Sequence, residues 1–496
     1  MQVVAEKNSS GQLEGRGAIG RKAGILPGLA WAAVAAGSFH LGFEQPRLNF
    51  LVLIYGFSLG QLAMISLARS SFRFGFLAGL LVFAPQLAWF WGIFGPVAFC
   101  LWAVLSFFTG LFTFALNAWR SRFGDRFIWV AAPILWTGLE YFRSELYFLK
   151  FSWFSAGYLW GGHPGLLPVG TLGVYGCGFV IFLFIAFLLP RKGRAQVIGM
   201  GFALAVLAGL ANIRGKTVDP AGRTLKIAGI QLEFPPDLSI PNQLDLVLEK
   251  FPDTELLVLS EYTFDGTIPK RVRDWCRENK RYLAAGGRRE ADIPGEYFNT
   301  AFVVGPSGEM VFEQGKSVPI QFFKDGLPAL ERKVWESPWG KIAICVCYDL
   351  SYRSVTDQFM KQGAQALIVP FMDVSNWGRH QHALHARVAP LRAREYQIPV
   401  FRLGSSGISQ IVDRHGYVVA TAPYPGEGEI IGGQLQLSTP ARLPFDTFLA
   451  PACSTLTGLF LLWLLLARIC RRLLPESPIF SSSSKVYCKV GPRRQA

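Results

Sequence analysis

The sequence predicts a polytopic α-helical membrane domain followed by an extracytoplasmic α/β domain, and three observations carry that expectation. Of 496 residues, 51% are hydrophobic and only 17% are charged, where soluble domains carry about 25% charged residues. The apolar content is concentrated in residues 24–213 and 447–467, while residues 214–446 have ordinary globular composition. Charge divides the same way: residues 214–446 balance 27 Lys and Arg against 27 Asp and Glu, so the whole net charge of +15 lies around the apolar runs. An all-soluble chain, a coiled coil and a disordered tail are excluded. A polynucleotide-binding surface has no support, because the excess basic charge flanks membrane segments.

A helix crossing about 30 Å of hydrocarbon at 1.5 Å per residue needs about 20 mainly apolar residues. By that measure about seven spans are expected in a membrane domain of residues 1–213, near 24–41, 48–67, 74–92, 95–118, 127–142, 165–190 and 195–213. An eighth, 447–467, follows the α/β domain of residues 214–446, and residues 468–496 form a basic tail. Pro85, Pro133 and Gly110 fall inside spans, which membrane helices tolerate when neighbours re-satisfy the backbone. The first run ends Ala35-Ala36-Gly37-Ser38, a sequence also compatible with signal-peptide cleavage; we read it as a retained span.

Lys and Arg in short connections set orientation. Lys7, Arg16, Arg21 and Lys22, then Arg69 and Arg73, then Arg120, Arg122 and Arg126, then Arg191, Lys192 and Arg194 all fall on one side. The basic tail joins them, while Arg47, Arg143 and Lys150 fall opposite. The basic side is the cytoplasm, so the α/β domain is expected outside it. Of eight cysteines only Cys276, Cys345 and Cys347 lie in that domain, too few for a disulfide framework.

Within 214–446, strands are expected at Leu225–Gln231, Glu255–Leu259, Tyr282–Gly286, Lys341–Val346, Ala366–Pro370, Val400–Leu403 and Ile408–Val412. Phe302–Val304 and Met310–Phe312 flank the turn Pro306-Ser307-Gly308 as a hairpin, and a helix is expected over Gln381–Tyr396. In such sheets the chemistry gathers at the carboxyl ends of strands. Glu261, Lys316 and Cys347 fall there or close by. A cysteine nucleophile needs a base for its proton and a cation or N–H donors for the oxyanion, and these three residue types supply both without a histidine.

Cys345 and Cys347 alternate across the strand, so only one faces a site, and the strand end favours Cys347. His382 and His385 share a helical face that His380 does not, and no carboxylate or cysteine cluster completes a metal site; these are read as surface or hydrogen-bonding residues. Phe322 and Phe323 beside Lys324-Asp325-Gly326 are read as an apolar lip on an exposed loop that touches lipid. Glu140 and Arg143 near a span end form an interfacial pair or a functional one.

The stretches around these residues resemble known ones. Ser260-Glu261-Tyr262-Thr263, Tyr297 to Ala301, Lys316-Ser-Val-Pro319 and Cys347-Tyr348-Asp349 are similar to the Glu-Lys-Cys constellation of the nitrilase superfamily. Arg392 to Glu395, Ile398 to Arg402 and Ser406 to Ser409 resemble that fold's later helix and strand. In the membrane half, Leu139 to Arg143, Phe151 to Tyr158 and Gly173 to Gly176 resemble the bacterial apolipoprotein N-acyltransferases, so the resemblance covers nearly the whole chain. It implies a nitrilase-like αββα sandwich outside the inner (cytoplasmic) membrane, in the periplasm.

It also implies an enzyme that holds an acyl chain from a phospholipid as a thioester and passes it to the N-terminal amine of a diacylglyceryl-cysteine lipoprotein. Glu261 is then the general base, Lys316 the oxyanion cation and Cys347 the nucleophile, with Tyr348 and Asp349 supporting, and neither cofactor nor metal is expected. The family's second glutamate after the lysine is absent, and its Cys-Tyr-Glu is Cys347-Tyr348-Asp349 here. Asp349 and Asp325 are candidates for the missing carboxylate, and adjacency to the nucleophile favours Asp349. The rival readings are a membrane-tethered nitrilase-type amidase and a catalytically silent lipid-binding protein.

Overall fold

In the computed structural model, which describes residues 10–65, 67–160, 168–189, 201, 223–440 and 442–473, the apolar N-terminal segments fold as helices. They are α1 (Ser10–Glu44), α2 (Val52–Ala63), α3 (Ala68–Gln86), α4 (Trp89–Phe94), α5 (Ala98–Phe123), α6 (Ile128–Tyr141), α7 (Ala156–Trp160) and α8 (Val169–Leu188). Four described stretches are long and apolar enough to cross a membrane: Ile25–Glu44, Phe90–Phe123, Val169–Leu188 and Asp446–Cys470. This is a membrane protein.

The expected spans 48–67 and 127–142 appear as the shorter α2 and α6, of 12 and 14 residues, and 195–213 lies outside the described residues. Helices pack closely through small side chains, as membrane bundles do when packing replaces the hydrophobic drive. On α3, a Cβ at Gly79 would stand 2.8 Å from Ser106 Cα of α5. Beside it, Ser71 Oγ donates to Thr113 O and Thr113 Oγ1 donates to Ser71 O, both at 2.9 Å.

The following domain contains twelve strands in two six-stranded sheets. The first is ordered β12 (Ile430–Gln436), β1 (Thr224–Ile230), β2 (Leu256–Val258), β3 (Tyr282–Glu290), β4 (Tyr297–Val304) and β5 (Met310–Gly315). The second runs β11 (Val418–Ala422), β10 (Ser409–Val412), β9 (Val400–Leu403), β8 (Ala366–Pro370), β7 (Gly340–Ile344) and β6 (Val334–Ser337). Each has three parallel strands at its centre, β1-β2-β3 and β7-β8-β9, with antiparallel strands outside.

Alternation along β2 shows the layering. Leu257 packs with α9 (Ile240–Lys250) and α10 (Lys270–Asn279), through Leu244, Val247 and Val272. Leu256 and Val258 belong to the core shared with the second sheet. That sheet is covered by α11 (Arg353–Lys361), α12 (Gly378–Ala386) and α13 (Val388–Tyr396). The chain therefore has the αββα sandwich the resemblance implied.

One helix was expected over 381–396. It divides at Arg387, where Pro390 cannot donate to a carbonyl one turn back.

The last helix, α14 (Asp446–Leu473), ties the two parts together at its first residue. Buried Asp446 pairs with Arg353 of α11 and accepts Tyr175 N–H of α8 at 2.8 Å. Arg353 also pairs with Asp357 at 3.0 Å, while Glu395 accepts Val174 N–H at 3.0 Å. Glu145, on the π-helical turn Phe142–Leu146 that follows α6, accepts Arg353 N–H at 3.0 Å.

Candidate active site

Three strand ends converge. β2 runs out at Ser260, whose Oγ donates to Leu232 O at 3.0 Å, and delivers Glu261 into the interior. There β3 approaches so closely that a Cβ at Gly286 would stand 2.5 Å from Glu261 Cα, so only glycine fits. β5 ends at Lys316, held to β4 by its N–H to Asn299 O at 2.7 Å, and its side chain is 0% exposed. β7 ends short of Cys347, which opens a 3₁₀ turn with φ of +51°. That left-handed backbone is rare for a residue with a Cβ and recurs at functional sites.

Lys316 Nζ lies 2.9 Å from Glu261 Oε1 and 2.7 Å from Asp325 Oδ2. Asn299 Nδ2 bridges the two carboxylates, donating to Glu261 at 2.6 Å and to Asp325 at 2.9 Å. Asp325 also accepts from Tyr262 Oη at 2.8 Å and Ile320 N–H at 2.7 Å. Cys347 Sγ is 4.0 Å from Met372 O, and Met372 N–H donates to Glu261 Oε2 at 2.9 Å, so Glu261 and Cys347 share one backbone neighbour.

Two carboxylates face one ammonium, and a single cation cannot neutralise both in a dry site. Burial opposes charge on Asp325, but Lys316 outweighs it and holds Asp325 below the usual carboxylate range. Burial raises Glu261, and the Asp325 charge adds to that rise. Burial opposes the Lys316 charge too, yet the carboxylates of Asp325 and Glu261 keep its pKa well above normal. The Cys347 thiol is pushed well up by burial and then by Glu261. Lys316 is thus ion-paired with Asp325 at 2.7 Å and with Glu261 at 2.9 Å, and burial favours the proton-bound form of both Glu261 and the Cys347 thiol.

This corrects the placement of the second carboxylate. Asp349 does not pair with Lys316; its oxygens accept the N–H groups of Ser317 and Val318 at 2.8 Å each, and burial pushes its carboxyl up to about 7. The loop expected to be exposed at Lys324-Asp325-Gly326 turns Asp325 inward, leaving it 6% exposed. Cys345 is also buried, with its N–H bonded to Ile368 O at 2.9 Å, and does not line the cavity that reaches Cys347. Sequence alone does not mark Asn299 as a site residue, although it sits within the Tyr297–Ala301 stretch that carries part of the resemblance.

That cavity has an accessible volume of about 100 Å³, and its walls come from both parts of the protein. Trp89, Phe90, Leu105 and Phe151 belong to the membrane domain, while Phe322, Phe323, Tyr348 and Trp377 belong to the other. Phe322 is 61% exposed. Its ring lies 6.0 Å from Phe94, and the Phe323 ring lies 5.6 Å from Phe94 and 6.0 Å from Trp377. The turn bearing Cys347 is docked on the membrane domain: Tyr348 Oη donates to Lys150 O at 3.2 Å and Trp153 Nε1 to Ser351 Oγ at 3.0 Å.

Replacing Phe322 and Phe323 together with Ser should lower kcat/KM for long-chain phospholipid by about 10- to 100-fold, from the apolar area two rings contribute. Reaction with a small water-soluble ester should change by less than about threefold. Equal losses in the two assays would make the pair core packing.

Of the three histidines, His382 and His385 are buried. His385 Nδ1 lies 2.8 Å from Asp373 Oδ2, and burial lowers its pKa to about 4 despite that carboxylate. His380 Nε2 lies 3.0 Å from Gln86 Oε1 of α3. Among the described residues no three His, Cys, Asp or Glu side chains gather as a metal site would.

The family model for carbon–nitrogen hydrolases matches residues 222–444, which defines the class: a carbon–nitrogen hydrolase domain carried on membrane helices. The model for the apolipoprotein N-acyltransferase N-terminal domain matches residues 29–187. An apolipoprotein N-acyltransferase of Geobacter metallireducens is 23% identical over 431 residues, 74% of this chain and 82% of its own. One from Aquifex aeolicus is 25% identical over 438 residues, 79% of this chain and 95% of its own. A formamidase of Bacillus cereus is 30% identical, but over only 139 residues, 24% of this chain and 41% of its own. The chain belongs to the apolipoprotein N-acyltransferase family.

Proposed function

We propose that this protein transfers an acyl chain from a phospholipid, through a thioester on Cys347, to the N-terminal amine of a diacylglyceryl-cysteine lipoprotein. The observation that carries the reading is the shared cavity: a cysteine 2% exposed opens onto aromatic walls contributed by membrane helices. A small-amide hydrolase has no use for such walls, whereas two membrane-anchored lipids need them.

In the first half-reaction Cys347 Sγ attacks the ester carbonyl carbon while its proton passes to Glu261, whose raised pKa suits it as the acceptor. Lys316, held charged by Asp325, faces the developing oxyanion. Collapse breaks the carbon–oxygen bond, and the departing lysophospholipid oxygen takes the proton from Glu261. In the second half-reaction the acceptor amine attacks the thioester carbon and gives a proton to Glu261, which returns it to the departing Cys347 sulfur.

Incubation with phospholipid alone should add one acyl mass to Cys347, and adding a diacylglyceryl-cysteine peptide should discharge it onto the peptide amine. Release as free fatty acid at the same rate with and without peptide would favour the amidase-like hydrolase instead.

The same reading places the protein in the bacterial inner membrane as a multi-pass chain with eight spans and a periplasmic catalytic domain. In a background lacking Cys100, Cys470 and Cys488, a cysteine at exposed Lys270 should react with an impermeant thiol reagent in cells whose outer membrane has been opened. One at Ser482 in the basic tail should not. Equal labelling would defeat the orientation.

A further inference from the structure

The cavity that reaches Cys347 is lined almost throughout by carbon, yet it contains a guanidinium. Arg143 is the only Lys or Arg among the described residues lining it. It leaves α6 on the π-helical turn Phe142–Leu146, a widened geometry that recurs at functional sites. Arg143 is 6% exposed, and its Nε has no hydrogen-bond partner among the described residues. The guanidinium lies 5.5 Å from the Phe83 ring, which offers a π face but no acceptor for its N–H groups.

No anion among the described residues reaches the guanidinium. Glu140, which lines a small cavity with Arg143, accepts Ala156 N–H at 2.8 Å through Oε1 and has no partner for Oε2, but no ion pair within 4 Å joins it to Arg143 among the described residues. Asp373, the only carboxylate among the described residues lining the cavity, is bound by His385 at 2.8 Å and Gln381 at 3.0 Å and lies 3.5 Å from Arg402.

A buried guanidinium with an unpartnered Nε is unfavourable, so the site favours an anion that can enter the cavity and accept from it. The rest of the lining requires that anion to travel with apolar chains. We propose, building on the acyl-transfer reading, that Arg143 binds the phosphodiester of the phospholipid donor. The planar fork of a guanidinium takes two phosphate oxygens at once. In a glycerophospholipid the ester carbonyls lie a few bonds from the phosphate, and Arg143 and Cys347 line the same cavity. Arg143 is then a positioning and specificity residue for the first half-reaction and is not needed by the acceptor, whose diacylglyceryl group carries no phosphate.

The test follows thioester formation by intact mass in the full-length protein in nanodiscs, with phosphatidylglycerol or with neutral diacylglycerol of the same chains as donor. Wild type should favour the phospholipid. Arg143→Gln should lose about 10- to 100-fold on the phospholipid, as expected for charged hydrogen bonds, and less than about threefold on diacylglycerol. Arg143→Lys, which keeps the charge but not the fork, should fall between them and serves if the Gln variant does not fold.

Equal losses on both donors would make Arg143 structural and overturn the proposal, as would a phospholipid preference preserved in both variants. Inhibition of the diacylglycerol reaction by 10 mM inorganic phosphate would reassign the site to free phosphate, which also overturns it. No thioester from either donor in wild type would instead defeat the acyl-transfer reading itself.

Discussion

Cys347→Ala and Cys347→Ser should yield no acyl adduct and lower turnover by about 10⁴-fold or more, the scale of losing a covalent nucleophile. Serine keeps the shape but presents a far less acidic group to Glu261 in a site that already disfavours the anion. Cys345→Ala should keep most of the activity and lose about 1–2 kcal/mol of stability, as a small buried truncation does. Intact mass spectrometry separates the cases. An adduct found on Cys345 would reverse the assignment of the nucleophile.

Asp325→Asn is expected to slow thioester formation by about 10² to 10³, within the range of acid–base contributions. The substitution leaves Lys316 with Glu261 as its remaining carboxylate partner. Glu261 then becomes a charge partner with a lower pKa and a poorer base. Four donors that now converge on Asp325, from Lys316, Tyr262, Asn299 and Ile320, would also meet an amide that accepts through one oxygen.

Asp349→Asn should act differently. It loses one of the two backbone acceptances at Ser317 and Val318, costing about 1–3 kcal/mol of stability from an unsatisfied buried donor, with less than about tenfold loss of thioester rate. A normal rate for Asp325→Asn beside a failed Asp349→Asn would restore Asp349 as the lysine's partner.

The reason Asp325 was hard to read lies in what buries it. Lys324-Asp325-Gly326 is polar and turn-like, and nothing local marks the aspartate as internal. Two of its partners come from distant points of the chain, Tyr262 after β2 and Asn299 on β4, while Lys316 and Ile320, nearer in sequence, meet it only because the loop folds back. Glu261 and Cys347 were legible because hydrophobic runs lead directly into them, so strand ends could be placed without knowing the partners.

The same contrast runs through the fold. β8 was expected and found at Ala366–Pro370, an apolar run bounded by polar residues. β12 was not expected: it contains Gly432 and Gly433, and its pairing with β1 joins residues about two hundred positions apart in sequence. Apolar runs mark the membrane helices but not their winding: a 3₁₀ turn, Pro46–Leu51, leads into α2, and α6 lies between the 3₁₀ turn Asp125–Phe127 and the π-helical turn Phe142–Leu146.

The ion pair at Asp446 and the backbone hydrogen bonds of α8 that tie the helices to the sandwich bear on autonomy. Arg353 is compensated partly by Asp446 of the long apolar helix α14, and Glu145 of the membrane domain holds the first N–H of α11. Cutting the helices away would leave Arg353 without that partner and uncover Glu395, at about 3–5 kcal/mol for each broken buried pair. The aromatic wall facing Cys347 would be lost with them. This hydrolase domain is no portable module: the cavity that reaches Cys347 is walled by residues of both parts, so the domain cut free would keep only half of that setting.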